Sequence, residues 1–406
     1  MTQTLEGLRV IEASAFVAAP YAGLLLGQMG ADVIRIDPVG GGLDYRRWPV
    51  TESGRSLYWA GLNKGKRSIM INVRTAEGRE IAQSLMTLPG EDAGLVITNL
   101  AARGWLDYES LCLLREDLIM VNVVGNRDGS VAVDYTVNAA TGFPFVTGPA
   151  DFEGPINHVM PVWDVVAAYS IVQALLGAER FRRKTGKGQF AQFALSDTAF
   201  AALSHLGYIA EAQINHIERP RTGNDVYGSY GRDFETADGK RVMITAVTVR
   251  HWNAILEATG TAAAMQALEA SQGIDLRNEE ARYAARTAIA AILEPWFRQH
   301  SLEEVRAALD SAGACWGPYQ RITEAIDEDA RVSTRNPTFD EIDQPGVGKH
   351  LAAGSIIDSS ATPRARVQPA PVLGQDTDAV LSELLGITAA RIGELHDAGV
   401  VAGPLK

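Results

Sequence analysis

Leu8-Arg9-Val10-Ile11-Glu12-Ala13-Ser14-Ala15-Phe16-Val17-Ala18-Ala19-Pro20 is the stretch on which the fold turns. Leu8 to Glu12 has the content of a short strand, a turn follows, and Pro20 to Met29 reads as a helix entered through proline. The alternation continues outward. Asp32 to Ile36 and Ser68 to Asn72 predict two strands, Glu77 to Met86 a helix, and Ala93 to Thr98 and Leu118 to Val124 two further strands. Strand and helix in alternation predict an α/β fold: a doubly wound, mostly parallel sheet with helices on both faces.

The turn after the first strand also excludes a function. A dinucleotide site there needs G-x-G-x-x-G, because only glycine lets backbone approach a pyrophosphate. Here the turn runs from Ala13 to Pro20 with no glycine, which argues against an NAD- or flavin-dependent oxidoreductase. Gly40-Gly41-Gly42 follows the second strand instead and reads as a loop.

The 406 residues are 46% hydrophobic, enough for a large core. A formal charge of −12 argues against a nucleic-acid partner, which would call for a basic surface. Local cations remain at Arg46-Arg47, at Lys64 to Arg67 and from Arg180 to Lys187, each able to face a phosphate or to sit in solvent. The opening Met1 to Gly7 lacks the features of a secretory leader, and no run approaches about 18 apolar residues, so a cytoplasmic protein without a membrane partner is expected. Cys112 and Cys315 lie far apart without metal-ligand spacing; no metal is expected, and both read as buried small residues.

Asp164, in Pro161-Val162-Trp163-Asp164-Val165-Val166, precedes an apolar-periodic run that closes at Thr185-Gly186. A carboxylate in that frame can cap the helix or act as a nucleophile, and spacing alone favours the cap. Position 167 is alanine, so no reciprocal capping box supports it. A strand over Phe190 to Leu195 and another helix follow. Arg219 to Phe234 is rich in turns and aromatics, Glu235 to Ala246 reads as a hairpin with Asp238-Gly239 at its tip, and His251 to Ala314 is helical. The predicted organisation is a large domain, 1–226 with 316–406, and a small inserted domain of mixed α and β character, 227–315.

Taken in order, Leu5 to Glu12, Gly30 to Ile36, Asn63-Lys64-Gly65-Lys66-Arg67-Ser68, Ile97-Thr98-Asn99-Leu100, the Asp164 helix with its Thr185 to Gln189 close, Tyr230-Gly231-Arg232, and Pro369 to Thr377 span nearly the whole chain. In this set the chain resembles the class III CoA-transferase family. The resemblance implies an interlocked homodimer with a CoA-binding, Rossmann-like large domain. It implies no permanently bound cofactor, coenzyme A being part of the substrate. It also matches Asp164 to the family's nucleophile, which would attack a thioester, pass through a mixed anhydride and carry CoA as an aspartyl thioester.

By the same resemblance, Ala15, Phe16, Val17, Ile71, Arg74, Asn99, Leu100 and Arg103 should line the CoA site, while Arg67 can either meet phosphate or anchor its strand. Several family members carry a side-chain amide where this chain has Val17, so backbone N–H groups around Gly228 to Gly231 become candidate oxyanion donors. The racemase branch places histidine before an acidic residue; here that segment reads Ser130-Val131-Ala132-Val133-Asp134-Tyr135, which disfavours two-base racemisation. Ser14 to Pro20, Gly40 to Val50, Tyr58 to Asn63, Ala102 to Leu106, Tyr227 to Phe234 and Val400 to Pro404 are most similar to a branch that moves CoA between the two carboxyl groups of one C5 dicarboxylic acid. An intermolecular transferase acting on two separate acids is the alternative. Holding a diacid calls for cationic and hydroxyl donors, and Arg46, Arg47, Tyr230 and Arg232 are the candidates.

Overall fold

A computed structural model of the chain describes residues 3–404; Met1 and Thr2, part of the opening read for a leader, lie outside it. The chain forms two compact units. The first comprises the chain up to Thr141, His158–Ala210 and Asp329 onward; the second comprises Gly142–Asn157 and Glu211–Glu328.

The first unit is built on β1 (Arg9–Ala13), β2 (Asp32–Asp37), β3 (Arg67–Ile71), β4 (Leu95–Thr98), β5 (Ile119–Val124) and β6 (Gln189–Ala194). These six run parallel in the order β3-β2-β1-β4-β5-β6, and Val401–Ala402 adds a short antiparallel edge on β3. Parallel strands covered on both faces must be apolar on both faces. Leu95-Val96-Ile97 and Ile119-Met120-Val121 accordingly have no solvent exposure. Each such aliphatic side chain contributes about 1.5–3 kcal/mol by leaving water. Strand order reverses between β1 and β4, both of which pair in parallel register with their neighbours. A doubly wound sheet opens its ligand crevice at that switch point, beyond the carboxyl ends of the strands.

Two helices frame the crevice. Ala18–Gln28 follows β1 and packs against the longest helix among the described residues, Val162–Thr185; Ala19 and Ala22 on the first and Ala167 and Ala168 on the second are fully buried small residues. The long helix ends with Gly186 in the left-handed conformation (φ 72°) and with Arg182, Arg183 and Lys184 in its last turn, where cations offset the helix dipole. Buried Arg182 donates to the carbonyls of Ala93 (2.9 Å) and Glu91 (2.8 Å), tying the helix end to the sheet. The helix is long and apolar enough to cross a bilayer, but that embedded arginine and its packing make it a helix of this sheet's layer.

The second unit carries β7 (Tyr230–Glu235), β8 (Arg241–Ala246) and β9 (Cys315–Pro318) as an antiparallel sheet, with helices between Val249 and Ala312 packed on it. Its bounds are wider than the sequence reading of 227–315. Arg221 donates to the carbonyls of Pro144 (3.1 Å), Phe152 (2.5 Å) and Gly154 (2.6 Å), which binds 142–157 to the segment before β7. The hairpin falls where the Asp238-Gly239 signal put it. Ser301 caps its helix through a reciprocal capping box with Glu304. The cysteine expectation needs correction: Cys112 is half-buried, while Cys315 is exposed at the start of β9, where a strand edge leaves it uncovered.

Candidate active site

The loop after β1 is held from both sides. Asn99, just past β4, accepts from the Ala15 N–H (2.9 Å) and donates to the Ala15 carbonyl (2.6 Å), so one amide side chain clamps both backbone groups of Ala15 across the switch point. Phe16 adopts φ 65°, a left-handed conformation that is uncommon for a residue with a Cβ. Its N–H is satisfied by Asp44 Oδ2 at 3.1 Å. Contacts that over-determine an unfavourable backbone are characteristic of working sites.

Asp164 does not cap its helix. The helix begins two residues earlier, at Val162, with Pro161 at the N-cap and no cap from that side chain. Asp134 performs the capping from a distant segment: its Oδ2 accepts from Trp163 N–H (2.7 Å) and Asp164 N–H (3.2 Å). Since a carboxylate already satisfies the free N–H groups of the first turn, the Asp164 side chain is released toward the crevice.

That crevice is a cleft of about 580 Å³ lined by Phe16, Val17, Asn99, Asp134, Asp164 and Arg47, with Tyr58 and Tyr135 also on its wall. Burial pushes the Asp164 carboxyl up to about 7, the nearby Asp134 adds to the rise, and Arg47 opposes it. Near pH 7 this carboxyl is therefore about half protonated, where an unperturbed aspartate, at about 3.9, would be fully ionised. Such a carboxylate is scarce but reactive, because the low-polarity surroundings that raise its pKa also strip it of water. Burial likewise raises the Tyr58 hydroxyl to about 12, against the opposing charge of Arg47, so Tyr58 remains a hydrogen-bond donor across the working pH range.

Arg47 stacks its guanidinium between two rings, 5.3 Å from the Phe16 centroid and 5.1 Å from that of Tyr58. Cation–π contacts hold the group in place without consuming its hydrogen-bond donors. Arg46, its sequence neighbour, diverges: it lines a separate cleft of the same unit with Tyr45, Arg55 and Gln344. The predicted Arg46-Arg47 pair is therefore split, because adjacent side chains leave the loop on opposite sides.

The other expected contacts fall into distinct groups. Leu100 and Arg103 are exposed beside Asn99, and Arg74 is exposed beyond β3. Arg67 is engaged by Glu383 (2.7 Å) and Asp32 (3.7 Å), the anchoring alternative rather than the phosphate one. Ile71 has no solvent exposure and packs in the sheet core, so as a side-chain contact for CoA it is corrected. In the second unit, Tyr230 is 1% exposed and packs edge-on against Trp252, which identifies its ring as core and corrects its assignment to a substrate carboxylate. Arg232 lies 3.6 Å from Asp225. Gly228 is exposed at the turn, Gly231 is buried in β7, and the Ser229 N–H between them is committed to the Val226 carbonyl. Asp134 and Tyr58 were missed as functional residues. No local pattern marks either, since Asp134 meets the long helix from 30 residues away.

A doubly wound sheet whose switch point presents a desolvated carboxylate and a stacked arginine, in place of a glycine-rich turn, defines a site suited to acyl or thioester transfer through that carboxylate. The chain belongs to CoA-transferase family III, whose model matches residues 5–377. It is 54% identical over 405 residues to the 2-methylfumaryl-CoA isomerase of Chloroflexus aurantiacus, covering 100% of this chain and 99% of that protein. It is 29% identical to the succinyl-CoA:mesaconate CoA-transferase of Haloarcula marismortui, covering 93% and 96%. Among solved structures, a CaiB/BaiF family protein from Brucella suis superposes with a TM-score of 0.75 at 26% identity, over 94% of this chain and 100% of that one.

Proposed function

We propose that this chain is an intramolecular CoA transferase that converts 2-methylfumaryl-CoA into 3-methylfumaryl-CoA by moving CoA between the C1 and C4 carboxyl groups of mesaconate. The observation that carries the reading is the presence of one raised carboxylate, Asp164, and one stacked guanidinium, Arg47, in a single cleft. It is supported by the 54% identity to an enzyme of that name. In this reading Arg47 holds the free carboxylate while Asp164 attacks the thioester carbonyl. The C–S bond breaks, CoA leaves as thiolate, and a mixed anhydride joins Asp164 to C1. The thiolate then attacks the aspartyl carbonyl, giving an aspartyl-CoA thioester and free mesaconate. Mesaconate turns and its C4 carboxylate attacks the aspartyl thioester, expelling CoA thiolate and forming a second mixed anhydride; the thiolate then attacks the C4 carbonyl and releases the Asp164 carboxylate. Each step exchanges one acyl–heteroatom bond for another, so no net proton or electron is needed.

CoA is proposed to lie along Ala15, Phe16, Val17, Asn99, Leu100 and Arg103, with Arg74 further out. The working form is proposed to be a cytoplasmic homodimer. The experiment is to incubate 2-methylfumaryl-CoA with isotopically labelled free mesaconate. Unlabelled product supports retention of one diacid; substantial label in the product ester overturns it in favour of the intermolecular alternative. Trapping of the Asp164 thioester with borohydride, located by mass spectrometry, tests the nucleophile separately.

A further inference from the structure

Asp44 lies in the loop after β2, outside the cleft lining, and is only 1% exposed. Its carboxylate makes two kinds of contact. Arg35 Nη2 donates to Oδ1 at 3.2 Å and Oδ2 at 3.0 Å, and the Phe16 N–H donates to Oδ2 at 3.1 Å. Arg35, also 1% exposed, is shared with Asp37 (3.0 Å), Glu12 (3.3 Å) and the Ser14 carbonyl (3.3 Å). The Asp44 backbone is engaged as well: its carbonyl accepts from the Arg47 N–H at 3.1 Å, while the Arg47 carbonyl accepts from Ser56 Oγ at 2.5 Å. One residue thus fixes the left-handed Phe16 through its side chain and the Arg47 backbone through its carbonyl. Those two residues then meet each other, guanidinium over ring.

We propose that Asp44 is a positioning residue that clasps the Phe16 loop to the Arg47 loop, and so sets the guanidinium where it receives the free carboxylate of a dicarboxyl-CoA substrate. The proposal rests on the reading of Arg47 as carboxylate receptor. Removing the charge at position 44 weakens the hold on Phe16, the shelf under Arg47 shifts, and the cleft loses discrimination for a diacid before it loses the nucleophile. Asparagine fills the same space but offers one carbonyl oxygen where the carboxylate serves Arg35 and Phe16 with two. Its NH₂ group would face a donor.

The test is a double-mutant cycle of Asp44→Asn and Arg47→Gln, reading KM and kcat for 2-methylfumaryl-CoA and the inhibition constant of butyryl-CoA, which shares the CoA moiety and lacks the free carboxylate. The expected result is a KM raised about tenfold by Asp44→Asn beyond any rise in the butyryl-CoA inhibition constant, with kcat changed less than about threefold and a double variant no worse than Arg47→Gln alone. Additive effects, or an equal weakening of butyryl-CoA, would overturn the clasp, since a merely structural role or a lost Phe16 contact to CoA weakens both ligands together. If Arg47→Gln raises KM while Asp44→Asn does not, the clasp falls and the carboxylate receptor stands. If Arg47→Gln leaves KM unchanged, the receptor reading itself falls. Arg35 keeps two other carboxylates, so folding is expected; should Asp44→Asn fail to fold, Asp44→Ser gives an acceptor for Phe16 without charge and runs the same cycle.

Discussion

Replacing Asp164 with asparagine should abolish turnover and make the protein more stable. The folded chain holds this carboxyl at about 7 against an ordinary value of 3.8, first because it is buried and then because Asp134 stands nearby. Forcing the ionised form on the folded state at alkaline pH therefore costs at most about 4 kcal/mol. Solvent still reaches part of the side chain, so about 1–3 kcal/mol is the working figure. The sign follows from the raised pKa. Between about pH 4 and 7 the folded protein keeps a proton that the unfolded chain has released, so stability falls as pH rises through that window and is lowest above it. Asparagine never ionises. At pH 8 Asp164→Asn should melt about 2–5 °C above the parent, with the gain falling to roughly a third by pH 5 and vanishing only below about pH 4. Thermal unfolding followed by circular dichroism at both pH values measures this. An equal or lower melting temperature at pH 8, or a gain independent of pH, would refute the picture of a nucleophile held at a cost in stability.

The pH dependence of kcat/KM should rise through an apparent pKa near 7 as Asp164 ionises. Asp134→Asn should move that midpoint down by about one unit and Arg47→Gln should move it up, because the first removes a like charge and the second an opposite one. A stopped-assay pH series in a constant-ionic-strength buffer distinguishes the two directions. Asn99→Ala should reduce kcat/KM about tenfold or more while costing about 1–2 kcal/mol of stability, since the hydrogen bonds to both the N–H and the carbonyl of Ala15 are lost. Gly188→Ala at the start of β6 should destabilise strongly in urea unfolding, because the new Cβ would stand 2.0 Å from the Leu118 carbonyl oxygen, where only backbone can yield. Ser301→Ala should remove the capping box in the second unit for about 1 kcal/mol and leave transfer kinetics unchanged.

The parallel core was legible because its physics is local. Ile119 to Val124 and Leu95 to Thr98 are apolar runs bounded by turn residues, and a strand buried on both faces has no other way to read. The left-handed stop at Gly186 and the hairpin around Gly239 were legible for the same reason, since the backbone conformation is written in the residue type. What escaped is what depends on partners remote in sequence. Phe339–Gln344 and Gly348–Ala353 form an antiparallel hairpin whose charged alternation carries little apolar signal, and Val401–Ala402 is a strand only because β3 offers an edge. Cys315 reads as a core residue by type and is exposed by position.

Asp164 shows the limit most sharply, because its local frame favoured the wrong role. An aspartate at the start of an apolar-periodic run satisfies helix ends in most proteins, and nothing within ten residues overrules that expectation. The helix does take its cap from a carboxylate, but from Asp134, whose hydrogen bonds to the Trp163 and Asp164 N–H groups arrive through tertiary structure. This exchange of roles explains two properties together. Burial raises the Asp164 carboxyl first; with the amides already satisfied it has no backbone donors to lower it again, and the capping group adds a negative charge beside it. A carboxylate that capped its own helix would be held in place, acidic and poorly nucleophilic. One capped by a neighbour is left free, raised toward neutrality and turned to the cleft where Arg47 waits. The motif order pointed to Asp164 as the proposed nucleophile, while burial and the tertiary cap from Asp134 account for its raised carboxyl.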